Sequence, residues 1–255
     1  MAQQARDDDN RATMRHPVAL QALTLHALQK PRSVLAVNQF RLAILSAPFD
    51  YIRDPQAIYA RSFALVRQAT DLSDVPPAIE PLVVRLVHAC GMPDIVTDLA
   101  FSVGIEQAAW RALKAGAPLF ADCEMVVNGI IRSRLPAANE VICTLNEAGV
   151  ADDAKALSTT RSAAAVDRWL THPPGGVVVV GNAPTALFRV LELMAAGRLR
   201  PAAVLGFPVG FVGAAESKQA LTEHHAGTPY VTLLGQRGGS AIAAAAVNGL
   251  ASCFA

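Results

Sequence analysis

Two stretches in the last third of the chain decide its fold: Val177-Val178-Val179-Val180-Gly181-Asn182-Ala183-Pro184-Thr185 and Ala203-Val204-Leu205-Gly206-Phe207-Pro208-Val209-Gly210-Phe211-Val212-Gly213-Ala214-Ala215-Glu216-Ser217-Lys218. Each is a short apolar run that breaks at glycine and reopens as a helix. Such a junction presents unpaired backbone N–H groups at a helix N-terminus, where an anionic group is favoured. Two of them in succession predict one crevice at the carboxyl ends of neighbouring parallel strands.

Working outward, strands are expected at 117–122, 141–145, 177–180, 202–206 and 230–234. Helices are expected at 105–114, around 125–131, and at 161–170, 184–196, 213–222 and 240–251. This alternation calls for an α/β fold, a parallel β-sheet with right-handed crossovers and helices on both faces, a three-layer αβα arrangement. Upstream, one helix is expected from Pro55 to about Ala69 and another from Pro76-Pro77 to Cys90, stopped by Gly91. Residues 1–16 are polar and charged, which predicts disorder, and residues 17–45 can form one or two amphipathic helices around Pro31. The chain therefore divides into an N-terminal extension, 1–48, and a single α/β domain, 49–255.

Composition narrows the function classes. The chain has 255 residues, 52% of them hydrophobic and 17% charged, with a net charge of +1. Its apolar runs are broken by Gly, Pro or charge well short of the roughly 18 residues a spanning helix needs, so the bias belongs to buried parallel strands and no membrane is expected. Without a Lys/Arg tract the electrostatic footprint of nucleic-acid binding is missing. Cys90, Cys123, Cys143 and Cys253 form no CxxC pair, and the histidines have no metal-ligand spacing; a metal site is not expected. With no secretory signal and thiols read as free, the expected location is cytoplasmic.

Several residues stand out for chemistry. In the helix ending at Cys90, Leu82, Val83, Leu86, Val87 and Cys90 form an apolar face, while Arg85 and His88 are neighbours on another. Imidazole can give and take a proton near neutral pH. A nearby guanidinium disfavours imidazolium until an anionic substrate offsets it. On spacing alone, an ordinary histidine beside an ordinary arginine is the commoner outcome. Gly181–Ala186 reads either as a carboxylate or phosphate cradle, with Asn182 or Thr185 capping, or as a well-made turn. It is neither GxGxxG nor a Walker loop, so a nucleotide cofactor has little support. Gly235-Gln236-Arg237-Gly238-Gly239-Ser240 repeats the device with Arg237 added, although loop arginines are more often solvated. Arg161 can present a bidentate fork to a carboxylate or project into water, and Arg132 and Arg134 invite the same two readings. Asp122 and Glu124 stand near a strand's carboxyl end, where α/β enzymes often place functional groups. Ser62 lacks a GxSxG context, which argues against a serine nucleophile.

Taken together, these phrases resemble one family, the precorrin-8X methylmutases (precorrin isomerases) of cobalamin biosynthesis. The likeness runs through Tyr51-Ile52-Arg53-Asp54, Arg61-Ser62-Phe63, Val87-His88-Ala89-Cys90-Gly91, Arg134-Leu135-Pro136, Asn139–Thr144, Thr160-Arg161-Ser162-Ala163, both opening junctions and Gly238-Gly239-Ser240-Ala241. It covers about residues 50–251. The resemblance implies a homodimer with a tetrapyrrole site at its interface, and a methyl shift from carbon 11 to carbon 12 that gives hydrogenobyrinate without a cofactor. It places the catalytic histidine on His88 and substrate contacts on Ser62, Arg85 and Arg161; Asn182 and Arg237 join them as expected carboxylate partners. Ile131 stands where the family pattern carries a hydroxyl residue, and residues 1–48 have no counterpart in it. Three other readings compete: the same shift on cobalt-precorrin-8, a non-catalytic tetrapyrrole carrier, and an S-adenosylmethionine methyltransferase, which lacks its acidic glycine-rich loop here.

Overall fold

The computed structural model describes residues 49–252; the arm and helices expected within residues 1–48 lie outside the described residues. In chain order the elements are α1 (Pro55–Ala69), α2 (Glu80–Cys90), β1 (Leu99–Phe101), α3 (Ile105–Lys114), β2 (Leu119–Ala121), α4 (Glu124–Gly129), β3 (Val141–Ile142), α5 (Val150–Ala156), α6 (Arg161–Asp167), β4 (Val177–Val180), α7 (Pro184–Ala195), β5 (Ala203–Gly206), α8 (Ala214–His224), β6 (Tyr230–Leu233) and α9 (Ser240–Leu250).

The strands form one six-stranded sheet in the order β1-β6-β5-β4-β2-β3. From β2 to β6 every pairing is parallel, with Val177 opposite both Leu119 and Ala203. The edge strand departs from the all-parallel expectation: β1 runs antiparallel to β6, Leu99 opposite Leu233 and Phe101 opposite Val231. Between β2 and β4 the winding reverses, because the chain steps outward to β3 and returns past β2. That reversal is the switch point at which crevices open in such sheets.

Side-chain parity divides the core. Leu119, Val177, Val179, Leu205 and Val231 pack with α2, α3, α4 and α9, whereas Phe120, Val178, Val180 and Val204 pack with α6, α7 and α8. All four valines of β4 are buried, as a central parallel strand covered on both faces requires; each contributes roughly 1.5–3 kcal/mol of hydrophobic stabilisation. On the first face α9 lies against β4 and β5, α2 packs on α9, and α1 packs on α2.

Local signals explain the helix ends. Asp54 caps α1 by accepting from Ala57 N–H at 2.7 Å, with Pro55 in the first turn. Pro76-Pro77 does not itself begin α2. It makes a turn in which Pro76 O accepts from Ile79 and Glu80 N–H, and the helix starts at Glu80 with Pro81 in its first turn. Gly91 ends α2 in the left-handed conformation, φ 69°, returning its N–H to Val87 O at 2.8 Å. A side chain at that φ would be strained, so the stop one turn beyond His88 is built into the sequence.

Candidate functional site

Along α1, Tyr59, Ser62, Phe63 and Val66 recur at helical spacing and are its partly covered residues, while no residue of the helix is fully buried. This stripe meets α2 at His88. Ser62 Oγ and His88 Nδ1 are 2.7 Å apart. The imidazole is enclosed by the rings of Phe63, edge-on at 5.2 Å, and Tyr59, tilted at 5.7 Å. Arg85 lies on the same side of α2, its Cζ 5.0 Å from the Phe63 centroid and 5.6 Å from that of Tyr59.

Burial, and then the Arg85 charge, hold His88 below the ordinary histidine value of 6.5. The free site therefore presents a neutral imidazole at neutral pH. With Nδ1 engaged by Ser62, Nε2 forms no hydrogen bond among the described residues. A hydroxyl can donate to neutral Nδ1 or accept from its protonated form, so Ser62 orients the ring in both proton states. The structure thus brings His88, Ser62 and Arg85 together.

Tyr59, which sequence reading did not single out, and Arg134, read there either as a carboxylate fork or as a solvated arginine, complete the cluster. Tyr59 carries the aromatic wall, and Arg134 places its Cζ 5.5 Å from the Tyr59 centroid. Arg134 belongs to a one-turn 3-10 segment, Arg132–Arg134, after α4. Buried Asn248 on α9 positions the chain entering that turn: Oδ1 accepts from Ile131 N–H at 2.8 Å and Nδ2 donates to Gly129 O at 3.0 Å. Gly129 is required there, because a Cβ would lie 2.6 Å from Ala244 Cβ.

At the carboxyl ends of the strands the expectation of open anion cradles is corrected. The amide groups of the Gly181 junction are already filled by Asp122, which follows β2. Its Oδ1 accepts from Gly181 N–H at 2.8 Å, and Oδ2 accepts from Asn182 at 2.9 Å and Ala183 at 2.8 Å. Asp122 is 3% exposed; burial pushes its carboxyl up and the three N–H bonds pull the other way. It braces the sheet across the switch point. Asn182 commits its backbone to that brace, and the residue is exposed.

The other two glycine loops are laced to each other. Gly239 N–H donates to Phe207 O and Gly210 N–H to Gln236 O, and a Cβ on Gly238 would lie 2.5 Å from both Phe207 O and Pro208 O. Lys218, fully buried, donates to Arg237 O, and burial pushes its ammonium down to about 8. The Arg237 guanidinium is not held open for a ligand: it pairs with Asp94 and Asp98. The expected carboxylate contact at Arg237 is therefore replaced by two internal ones.

Arg161 is exposed at the start of α6, where Thr160 caps by accepting from Ala163 N–H. Its Nη2 donates to Leu145 O at 3.2 Å and to Asn146 Oδ1 at 2.9 Å. Both acceptors are neutral, so the position is fixed while the charge is retained. Thr160 and Thr185 hydroxyls meet at 2.7 Å, tying this loop to the Gly181 junction. The Arg161 group and the His88 group belong to different ends of α9: Ser240 Oγ is near Gly181 O, and Asn248 holds the Gly129–Ile131 turn. Eight residues of helix separate Ser240 from Asn248, about 12 Å at ~1.5 Å each.

Among the described residues no group of histidine, cysteine and carboxylate side chains could hold a metal ion, and no helix is long and apolar enough to cross a membrane. A separate cleft of about 300 Å³, lined by Phe120, Trp169, His172 and Arg200 among others, lies by the residues that precede β4 and β5.

The chain is similar to known proteins over most of its length. Residues 57–253 match the family described as Precorrin-8X methylmutase. A precorrin-8X methylmutase of Pseudomonas aeruginosa is 58% identical over 203 residues, 80% of this chain and 98% of that protein. One from Sinorhizobium sp. is 52% identical over 80% of this chain and 97% of that protein. A cobalt-precorrin-8 methylmutase of Priestia megaterium is 32% identical over 77% of this chain and 87% of that protein. The solved precorrin-8X methylmutase of Thermus thermophilus superposes with a TM-score of 0.70 at 37% identity, covering 77% of this chain and 94% of that one. On these matches, the chain belongs to the precorrin-8X methylmutase family.

Proposed function

We propose that this protein is an isomerase that moves a methyl group from carbon 11 to carbon 12 of precorrin-8X, giving hydrogenobyrinate, with His88 as the proton donor and acceptor. The observation that carries the reading is the Ser62–His88 pair, its second ring nitrogen without a hydrogen bond among the described residues, set among aromatic faces beside a guanidinium. The free imidazole is held neutral by burial and by Arg85. An anionic macrocycle brings carboxylates to the arginines, offsets their charge and raises the proton affinity of His88. The imidazolium then protonates the macrocycle from Nε2 while Nδ1–H is held by Ser62. The ring cation favours the methyl shift, and the same nitrogen recovers the proton, so no atom is gained or lost overall. The aromatic wall disfavours water, and Arg161, anchored on neutral acceptors, is suited to a peripheral carboxylate.

The higher identity to proteins named for precorrin-8X, 58% and 52% against 32% and 38% for two named for cobalt-precorrin-8, favours the metal-free substrate. Cobalt-precorrin-8 is the second reading, and identity supports it less. A homodimer fits the exposed apolar residues Ile58 and Leu65 on α1 and Phe211 and Val212 after β5, since exposed apolar patches commonly mark association surfaces; a cytoplasmic location accords with the free thiols.

Incubation of the purified protein with precorrin-8X, followed by absorbance and mass, tests the function. A hydrogenobyrinate-like spectrum at unchanged mass supports it. A mass gain of one methyl shows a methyltransferase instead, and binding without conversion shows a carrier.

A further inference from the structure

Arg67, Arg168, Arg189 and Arg237 each pair with one or two carboxylates. Arg134 has no ion pair among the described residues, and its Nη1 is buried without a hydrogen-bond partner. Leaving a buried donor unsatisfied costs about 1–3 kcal/mol, and more when the group is charged. The sequence nevertheless holds Arg134 firmly in place. The Arg132–Arg134 turn closes by Arg134 N–H to Ile131 O at 2.9 Å and Leu135 N–H to Arg132 O at 3.1 Å. Asn248 grips the residues entering it, and Gly129 permits the close approach to α9. The guanidinium is thereby set on Tyr59, the ring that Arg85 also approaches and that stands 5.7 Å from His88. Cation–π contact with Tyr59 orients the planar fork, and it leaves the buried donor unmet.

We propose that Arg134 is a carboxylate-binding residue of the His88 site, taking an acetate or propionate side chain of the macrocycle beside Arg85. This rests on the isomerase reading and deepens it by naming a contact next to the proton-transfer pair. A carboxylate there fills the unmet donor and places a negative charge between two guanidinium groups, close to the imidazole that must become cationic. Arg132, exposed two residues earlier in the same turn, has no such buried donor and is not part of the proposal.

The test uses the full chain, its Arg134→Gln and Arg134→Lys variants, and two probes: hydrogenobyrinate, and the same macrocycle with its carboxylates converted to amides. A charged hydrogen bond of about 1.5–3 kcal/mol corresponds to roughly 10- to 100-fold in affinity. Arg134→Gln is expected to weaken binding of the acid by that factor and leave the amide within about twofold. Arg134→Lys, which keeps the charge and loses the fork, is expected to recover part of the loss. If acid and amide weaken alike, Arg134 only props Tyr59 and the proposal is overturned; unchanged acid binding overturns it as well. Should Arg134→Gln fail to fold by circular dichroism, the Arg134→Lys comparison of acid with amide decides by the same criterion. If the unmodified protein neither binds hydrogenobyrinate nor isomerises precorrin-8X, the isomerase reading itself falls. If it turns over and Arg134→Gln does so with unchanged KM, only the present proposal falls.

Discussion

The two regions rich in donors use them differently. At the carboxyl ends of the strands, the amides of Gly181, Asn182 and Ala183 close on Asp122, Arg237 closes on Asp94 and Asp98, and Lys218 closes on Arg237 O. Around α1 and α2, among the described residues, His88 has one engaged nitrogen and Arg134 an unmet buried donor. Donors with partners inside the chain build the architecture. Donors held in place without partners are what a ligand completes. The sheet edge that looks most like a binding crevice in sequence is thus largely a clasp, and His88, the proposed proton donor, sits on helices stacked outside the sheet.

The first way to break this comparison is His88→Asn, which removes the proton and keeps a polar side chain. General acid–base catalysis is worth about 10²–10⁴-fold, so turnover of precorrin-8X is expected to fall by that order while binding persists; near-normal turnover would remove the site from the α1–α2 face. Next in size is Asp122→Ala. Stranding the buried Gly181 N–H and two partly buried neighbours should lower unfolding stability by about 1–3 kcal/mol, read by urea denaturation, and a loss of substrate affinity without a loss of stability would show the cradle to be a binding site after all. The smallest effect separates two arginines. Arg161→Ala is expected to weaken tetrapyrrole binding by about tenfold through loss of a charged hydrogen bond. Arg237→Ala should leave binding unchanged and cost only about 1 kcal/mol of stability, as half-exposed ion pairs do. Equal effects on binding would erase the distinction between clasp and site.

Legibility in the sequence follows the range of the interactions. α1, α3 and β4 matched their expected spans because capping, proline and β-branched runs act over a few residues. β1 was missed: three residues, Leu99-Ala100-Phe101, show no alternation, and only Leu233 to Val231, far along the chain, make them a strand. α5 was missed because Val150–Ala156 is short and mostly polar, entered from Gly149 at φ 85°. The strand order has no local signature. Among the site residues, Arg85 and His88 were readable as helix neighbours. Ser62 was reached through the family likeness, and Tyr59 as a wall was not reached, since its partners lie on α2 and beyond α4. The Gly181 junction, read either as a cradle or as a well-made turn, shows the limit most plainly. Its donors were correctly identified, but the acceptor that fills them is 59 residues earlier in the chain, and only the fold brings it there.

The central claim is that the anionic macrocycle converts His88 from the neutral imidazole of the free site into an acid, and the direct measurement is an NMR pH titration of labelled His88, free and bound to hydrogenobyrinate. Free, burial and Arg85 hold the midpoint below 6.5, so the ring is neutral above that pH and charges only as pH falls through the lowered value. Bound, the account predicts an upward shift, with His88 protonated over a range in which the free protein is not. A midpoint that stays put or moves lower on binding would contradict it.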